Sequence, residues 1–469
     1  MAKKSVSASP TKKFFVEMIT RDIELGDAIL DLLDNCIDGI LRSRRGSTKK
    51  KPYAGFFASI TANKDLFEIK DNCGGIPESR VPYAFRIGRE AGDASEDIES
   101  IGVYGVGMKR AIFKMGRHCV ITTRNSESSF SVPIDSNWMA DDSDWQLPVL
   151  DAEEDLKEAG TVIRVTKLLK SVQSEFDPEA SSFIDDLKKK ISGFFSFILD
   201  KGFEVIVNGE HIQAADFSLL FPDKFPKKET ALISPYVLEA QIGDVQVEAM
   251  IGFYRPLAKE NEVEGENLRP RSREEAGISV ACNDRVVLFK DKSRLVGWGT
   301  RGVPSFHNQF ICISGIVFFK SKDTSKLPLT TTKHGLDTGS DVYLTVLELI
   351  AVALKKYTVF TNKWKGNEGE TNDFFAATSP VAIHNLRENV PDDKLKVVPR
   401  MSAYGDVKEW KPDLPLPVSE STNKRIAFSR PISRIRTVSR YLYDTPDVSP
   451  AEIGAKCFDR VHAEAGRRK

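Results

Sequence analysis

The chain has 469 residues, too many for one typical hydrophobic core, and its length predicts about three domains. Its composition is 41% hydrophobic and 29% charged, and 67 Lys and Arg residues balance 67 Asp and Glu residues. This balance excludes recognition of nucleic acid through the net charge of the whole chain, so any phosphate contact must come from a local basic cluster.

Cysteine usage and the N-terminus constrain the environment of the chain. The cysteines are Cys36, Cys73, Cys119, Cys282, Cys312 and Cys457. Their wide separation and the absence of C-x-x-C spacing indicate neither a zinc site nor a disulfide framework. The basic N-terminus lacks the apolar core of a secretion signal, and no stretch approaches about 18 uninterrupted apolar residues. We therefore expect a cytoplasmic protein that makes no membrane contact.

The first predicted domain mixes helices and strands. Residues 1–13 are polar and basic and predict a flexible arm, and helical periodicity runs from Phe14 to about Leu41. Alternating hydrophobicity predicts two strands within 56–70, around a turn at 63–65. The later elements are a polar segment at 86–100, a helix that follows glycines, strands at 118–124 and 160–168, and a helix at 180–199.

The rest of the chain predicts a second α+β domain and a less regular C-terminus. Strand patterns lie within 203–209, 245–254, 277–289 and 310–319, and a helical pattern lies at 340–357. Residues 362–424 are interrupted by prolines and predict irregular structure. We expect a flexible arm at 1–13, a first domain at 14–199, a second at 200–360, and a C-terminal region at 361–469 with a basic segment at 424–440.

The helix near residue 31 carries an unusual polar stripe. Asp31, Asn35 and Asp38 recur at helical spacing with Asp34 beside them, while apolar residues such as Ile29 occupy the other face. A solvated surface is the simplest interpretation of such a stripe. A functional interpretation requires further motifs.

Three further motifs follow in order. Asp71 ends a predicted strand before two glycines, where a carboxylate can accept the exocyclic amine of adenine, although strand-end turns of this composition are common. The stretch GVYGVGMK, residues 102–109, can form an anion nest at a helix N-terminus, with Lys109 adding a charge. Gly160 and Thr161 open a strand and place a hydroxyl where it could share a water with Asp71.

Together these motifs resemble the GHKL ATPases, the group of gyrase, heat-shock chaperones, histidine kinases and MutL. That family has E-x-x-x-N, D-x-G-x-G, G-x-x-G-x-G and a Gly-Thr in this order, and here DLLDN, DNCGG, GVYGVG and GT lie within 31–161. Cys73 replaces the first glycine of the second motif, which predicts a strained turn. Asp31 replaces the catalytic Glu, which leaves open slower hydrolysis or a helix closer to the phosphate.

The resemblance implies an ATP site with Mg²⁺. Asp31 corresponds to the catalytic carboxylate, Asn35 to the metal ligand and Asp71 to the adenine-reading carboxylate, while Gly105, Gly107 and Lys109 correspond to the phosphate lid. The full candidate nucleotide-binding set is Asn35, Asp38, Asp71, Gly75, Ile76, Gly102, Val103, Tyr104, Gly105, Val106, Gly107, Met108, Lys109 and Thr161.

The second domain resembles the transducer of gyrase, MutL and, above all, MORC-type ATPases. In these relatives a basic residue before the final helix reaches the γ-phosphate, and Lys333 corresponds to it, with Lys326 as the competitor. The resemblance covers about residues 14–360 and implies an ATP-dependent homodimer. It favours an ATP-gated clamp on DNA, in genome maintenance or defence against foreign DNA, and the alternative is a chaperone-like or regulatory dimer that captures a protein.

The basic segment near the C-terminus has two equally good interpretations. Its cations are Lys424, Arg425, Arg430, Arg434, Arg436 and Arg440. Interleaved Phe428 and Tyr441 suit nucleic acid, and a basic strand docked on an acidic surface of the same chain explains them equally well. A protein partner of the C-terminal region also remains open.

Overall fold

A computed structural model describes most of the chain, which divides into two compact units, Met1–Leu416 and Pro417–Lys469. The described residues are 11–43, 51–86, 107–152, 156–224, 231–258, 275–330, 335–399, 405–417, 426 and 428–466.

The first domain has a mixed sheet with helices packed against it. Its described strands are β1 (Phe57–Ala62), β2 (Phe67–Asp71), β3 (Gly116–Arg124), β4 (Ser129–Ile134), β5 (Leu150–Asp151), β6 (Gly160–Leu168), β7 (Glu204–Val207) and β8 (Glu210–His211). In the described part their order is β5-β4-β3-β6-β2-β1-β7-β8, antiparallel except for the β1–β7 pair. The helices are α1 (Lys12–Thr20), α2 (Leu25–Ser43), α3 (Val81–Phe85), α4 (Gly107–Met115), α5 (Ser136–Ala140), α6 (Lys170–Glu175), α7 (Phe183–Phe194) and α8 (Ser196–Asp200).

The structure differs from the prediction at two boundaries of this domain. Helix α1 begins at Lys12, within the predicted flexible arm 1–13, because Thr11 accepts a hydrogen bond from the N–H of Phe14 and caps the helix. Strands β7 and β8 pair in the first sheet, so this sheet extends beyond the predicted boundary at residue 199. An alternating pattern predicts a strand but does not reveal the sheet in which it pairs.

The second domain is built on another sheet. Its described strands are β10 (Tyr236–Ile242), β11 (Val245–Phe253), β12 (Gly277–Cys282), β13 (Arg285–Asp291), β14 (Ile313–Lys320), β16 (Lys396–Val397) and β17 (Asp406–Trp410), and β9 (Ser218–Pro222) pairs separately with β15 (Thr378–Ala382). The order in the described part is β13-β12-β14-β11-β10-β17-β16, with β12 and β14 parallel. Helix α9 (Asp341–Lys363) packs on this sheet, where Tyr357 lies edge-on to Phe253 at a ring distance of 5.0 Å. The predicted α+β class is confirmed.

The prediction of irregular structure at 362–424 was wrong. This segment contains β15, β16 and β17 and the short helices α10 (Asn372–Ala376) and α11 (Ile383–Leu386). Strand β17 adds to the edge of β10 through pairs such as Leu238 with Glu409. Prolines at 380 and 391 led to the prediction of irregular structure, because proline usually argues against a strand. Proline is nevertheless tolerated at sheet edges.

The second unit contains helices α12 (Ile432–Tyr443) and α13 (Pro450–Gly466). Helix α12 carries the cations of the predicted basic segment at 434, 436 and 440, so this part is helical and not a strand. Lys424 and Arg425 lie outside the described residues. Among the described helices, none has the length and apolar character needed to cross a membrane.

Candidate functional site

Helix α2 buries most of its acidic stripe. The predicted core side, from Leu25 to Ile40, is buried, but Asp31, Asp34 and Asp38 are also at most 5% exposed. Only Asn35 in this stripe is exposed to solvent. Burial of carboxylates away from water is unfavourable unless other groups compensate for their charge. This excludes the interpretation of the stripe as a solvated surface.

Asp71 lies at the end of β2, where three separate motifs converge. Its carboxylate accepts hydrogen bonds from the backbone N–H groups of Cys73, at 2.7 Å, and Thr161. Sγ of Cys36, on α2, lies within 4.8 Å of an oxygen of the same carboxylate, and this thiol donates to the carbonyl of Leu32 at 3.5 Å. Burial raises the pKa of Asp71 to about 6, although the backbone hydrogen bonds to its carboxylate oppose the rise. The structure thus brings Thr161 next to Asp71, and a water shared between its hydroxyl and this carboxylate stays a prediction.

The turn after Asp71 requires glycine at two positions but tolerates Cys73. Gly74 and Gly75 have φ values of +99° and +68°, and a Cβ on Gly75 would lie 2.0 Å from the carbonyl oxygen of Arg124. A Cβ on Gly160 would lie equally close to the carbonyl oxygen of Asp71. Cys73 does not adopt positive φ, so the predicted strain at this position is absent.

Residues missed by the sequence analysis hold this turn in place. The hydroxyl of Thr123 accepts a hydrogen bond from the N–H of Ile76 at 2.8 Å and lies 3.3 Å from the hydroxyl of Thr161. The side-chain amide of Asn125 donates to the carbonyl of Ile76 at 2.9 Å. Both residues belong to β3 or the turn after it, where nothing in the sequence distinguishes them from ordinary strand and turn residues.

The first turn of α4 contacts the predicted catalytic carboxylate. A Cβ on Gly107 would lie 3.3 Å from Oδ2 of Asp31, so a larger residue would crowd this carboxylate. Lys109, two residues further on, is 5% exposed, and Met108 is half-buried. The other predicted lid residues, Gly102, Val103, Tyr104, Gly105 and Val106, lie outside the described residues. The structure therefore joins two of the predicted motifs at Asp31.

A buried ion pair connects α2 to the second domain. Nε of Arg285, at the start of β13, donates to Oδ1 of Asp34 at 2.8 Å, and both side chains are at most 1% exposed. The guanidinium also lies 4.3 Å from the ring centre of Phe195. The preceding residue, Asp284, accepts hydrogen bonds from Tyr53 and Lys201. The β12–β13 turn is thus fixed to the first domain beside the polar stripe of α2.

The predicted sensor, Lys333, lies outside the described residues, and the nearest described residues on either side are Thr330 and Gly335. Leu329 and Leu336 form a β-bridge, and Thr330 N–H donates to the carbonyl of Gly335 at 3.2 Å. Leu329 lines a small cavity together with Arg285, so Leu329 lies near the ion pair with α2. The competitor Lys326 is exposed, in a short helical turn.

Comparison with known proteins agrees with these features. Residues 23–167 match the model of the family described as histidine kinase-, DNA gyrase B-, and HSP90-like ATPase. The matched range contains α2, the turn after Asp71, α4 and the start of β6, and so all four motifs. No curated protein matches the chain. The match supports a GHKL-type domain that binds and hydrolyses ATP.

Proposed function

We propose that this chain is an ATPase whose nucleotide site lies between α2, the turn after Asp71 and the N-terminus of α4. The convergence of three motifs on the Asp71 carboxylate carries the proposal. Two backbone N–H groups orient this carboxylate, and its remaining lone pairs can accept the exocyclic amine of adenine. The exposed Asn35 would hold Mg²⁺, a hard cation that prefers oxygen ligands, and this ion would neutralise phosphate charge. Asp31 would orient and deprotonate the attacking water.

The choice of adenine over guanine tests this assignment. A carboxylate at residue 71 accepts from the amine at C6 of adenine, whereas guanine presents a carbonyl there. We expect Asp71→Asn to weaken ATP binding and to leave GTP binding no weaker, as measured by calorimetry. Asp65→Asn, on the exposed β1–β2 turn, is the matched control and should bind ATP like the wild type. Equal affinity of the wild type for ATP and GTP would exclude this role of Asp71.

We further propose that ATP closes a homodimer that acts as a clamp on DNA, and that Lys333 senses the γ-phosphate. Arg430, Arg434, Arg436 and Arg440 support a DNA contact, since all four are exposed. Capture of a protein partner is the alternative, which the exposed apolar side chains of Phe428, Ile432 and Tyr441 favour.

Turnover with and without DNA separates the two functions. A clamp on DNA should hydrolyse ATP faster when DNA is added, and this stimulation should fall steeply with salt because phosphate contacts release counterions. Replacing Arg434, Arg436 and Arg440 together by Ala should remove the stimulation and leave the basal rate unchanged. A rate that does not respond to DNA would favour the protein partner.

A further inference from the structure

A thiol-rich cluster lies beneath the proposed adenine site. Sγ of Cys36, Sγ of Cys73 and a carboxylate oxygen of Asp71 lie within 4.8 Å of one another. The two cysteines are 4% and 2% exposed, and Asp71 is partly exposed. Sequence spacing did not indicate this cluster because Cys36 belongs to α2 and Cys73 to the turn after β2. Among the described residues no other group of three metal-binding side chains has this geometry.

We propose that Cys36, Cys73 and Asp71 form a binding site for a thiophilic divalent cation of the Zn²⁺ class. Two thiolates on one tetrahedral Zn²⁺, at about 2.3 Å each, lie about 3.8 Å apart, so only a small adjustment of the side chains is needed. The thiolates provide soft ligands, and the carboxylate provides the third. A fourth position remains for a water molecule.

The cation would replace protons that the site otherwise holds. The hydrogen bond to Cys73 and burial raise the pKa of Cys36 well above its ordinary value. The same hydrogen bond lowers the pKa of Cys73, but burial and the charge of Asp71 outweigh it and leave the pKa raised. On binding, each S–H bond loses its proton to solvent and each sulfur forms a bond to the cation, with no change of oxidation state.

Occupation of this site would oppose nucleotide binding, an extension that rests on the proposed function. The Asp71 carboxylate that ligates a cation has fewer lone pairs for the amine of adenine, because one of its oxygens is bound to the cation. A thiophilic cation would therefore act as an inhibitor at the floor of the site, separate from the Mg²⁺ expected at Asn35.

Cation binding is tested first on the full chain without nucleotide, under a phosphine reductant that prevents disulfides. With Co²⁺ as the probe, we expect one ion per chain and a thiolate-to-metal charge-transfer absorption, and Zn²⁺ should displace the Co²⁺. Cys36→Ala and Cys73→Ala should each lose the absorption and weaken Zn²⁺ binding at least about tenfold. Cys119→Ala replaces a buried thiol outside the cluster and should behave like the wild type.

The absence of the absorption from the wild type, or its persistence in folded Cys36→Ala and Cys73→Ala chains, would overturn the site. Circular dichroism checks the fold of each variant. If one variant does not fold, Cys36→Ser or Cys73→Ser, which keeps the size and the hydrogen bond, replaces it. A band that Cys119→Ala also abolishes would likewise contradict the proposal.

The effect on ATP is measured separately, because ATP itself chelates divalent cations. The chain is loaded with one equivalent of Zn²⁺, freed of excess by gel filtration, and titrated with ATP in saturating Mg²⁺. We expect binding at least about tenfold weaker than for the metal-free chain. Equal affinity would overturn the inhibition. Failure of the metal-free chain to bind ATP would refute the proposed function. The cation site would then be judged only by the Co²⁺ charge-transfer absorption.

Discussion

Residues one turn apart on α2 lie in different environments, and Asp31 is the residue of this helix that we expect to matter most for hydrolysis. If this carboxylate orients the attacking water, Asp31→Asn should slow phosphate release by about 10²–10⁴-fold and keep ATP binding, because the loss falls on the transition state. Asp27→Asn, on the same helix, is the control, since Asp27 pairs with Lys190 away from Asp31. Turnover by Asp31→Asn at the wild-type rate would require another base.

The raised pKa of Asp71 predicts a pH dependence of nucleotide binding. Below about pH 6 the carboxyl binds a proton and no longer offers its full accepting capacity to the adenine amine, so ATP affinity should fall as the pH decreases. Asp71→Asn should lack this step. Calorimetric titrations of the wild type and Asp71→Asn with ATP from pH 5 to 8 measure this fall in affinity. Protonation of the nucleotide itself affects both proteins equally, so the difference between them reports the proton on Asp71.

The same proton affects stability in the opposite direction. The folded-state pKa of about 6 exceeds the ordinary value of 3.8, so the protonated carboxyl favours the folded chain. This contribution is fully present below pH 3.8 and is lost as the pH rises through 6. Nucleotide affinity and this stability contribution therefore change oppositely over that range.

At the scale of elements, the Arg285–Asp34 pair joins α2 to the β12–β13 turn. Arg285→Met would leave a buried carboxylate without its cation, so we expect a loss of about 3–5 kcal/mol of stability in chemical denaturation. Arg294→Met, at an exposed position after the same hairpin, should have little effect. The double variant Asp34→Leu, Arg285→Met should recover most of the loss, since apolar residues can replace a buried pair. A fully stable Arg285→Met chain would contradict this account.

Much of the first domain was predictable from the sequence, and its failures have physical causes. The periodicity of α2 and the alternation of β1 and β2 are local signals, so these elements agree with prediction. The partners of β7 and β17 depend on pairs distant in sequence, such as Ala58 with Val205, and local patterns do not encode them. The burial of Asp34 depends on Arg285, which belongs to another domain. The sequence near α2 does not show this partner, so the acidic stripe of α2 resembled a solvated surface.

At the scale of the whole molecule, we predict that ATP changes the oligomeric state. Light scattering after gel filtration should show a monomer or loose pair without nucleotide and a compact dimer with Mg²⁺ and a non-hydrolysable ATP analogue. Lys333→Ala should lose this response, and Lys326→Ala is the matched control. An unchanged mass with and without the analogue would refute ATP-dependent dimerisation. A normal response of Lys333→Ala would move the sensor to Lys326.

We predict that the N-terminal arm is exchanged between the two subunits of the ATP-closed dimer. A deletion that tests this exchange must be shorter than the predicted arm, residues 1–13. Nζ of Lys12 donates to the carbonyl of Asp144 at 2.6 Å and lies 4.0 Å from the ring centre of Trp138, so this lysine is part of the domain core. Deletion of residues 1–13 would remove these contacts as well as the arm. Deletion of residues 1–10 should abolish dimerisation and leave monomer stability unchanged, as thermal unfolding can verify.

The β10–β17 pair has a consequence for synthesis of the chain. Strand β10 is complete at Ile242, but its edge partner ends at Trp410, so a growing chain carries an uncovered strand edge until the ribosome has made nearly all of the first unit. Such edges recruit foreign strands and favour aggregation. A chain that stops near residue 360, after the last helix of the expected transducer, would keep this edge permanently, and a chaperone that shields it during translation would raise the yield of native protein.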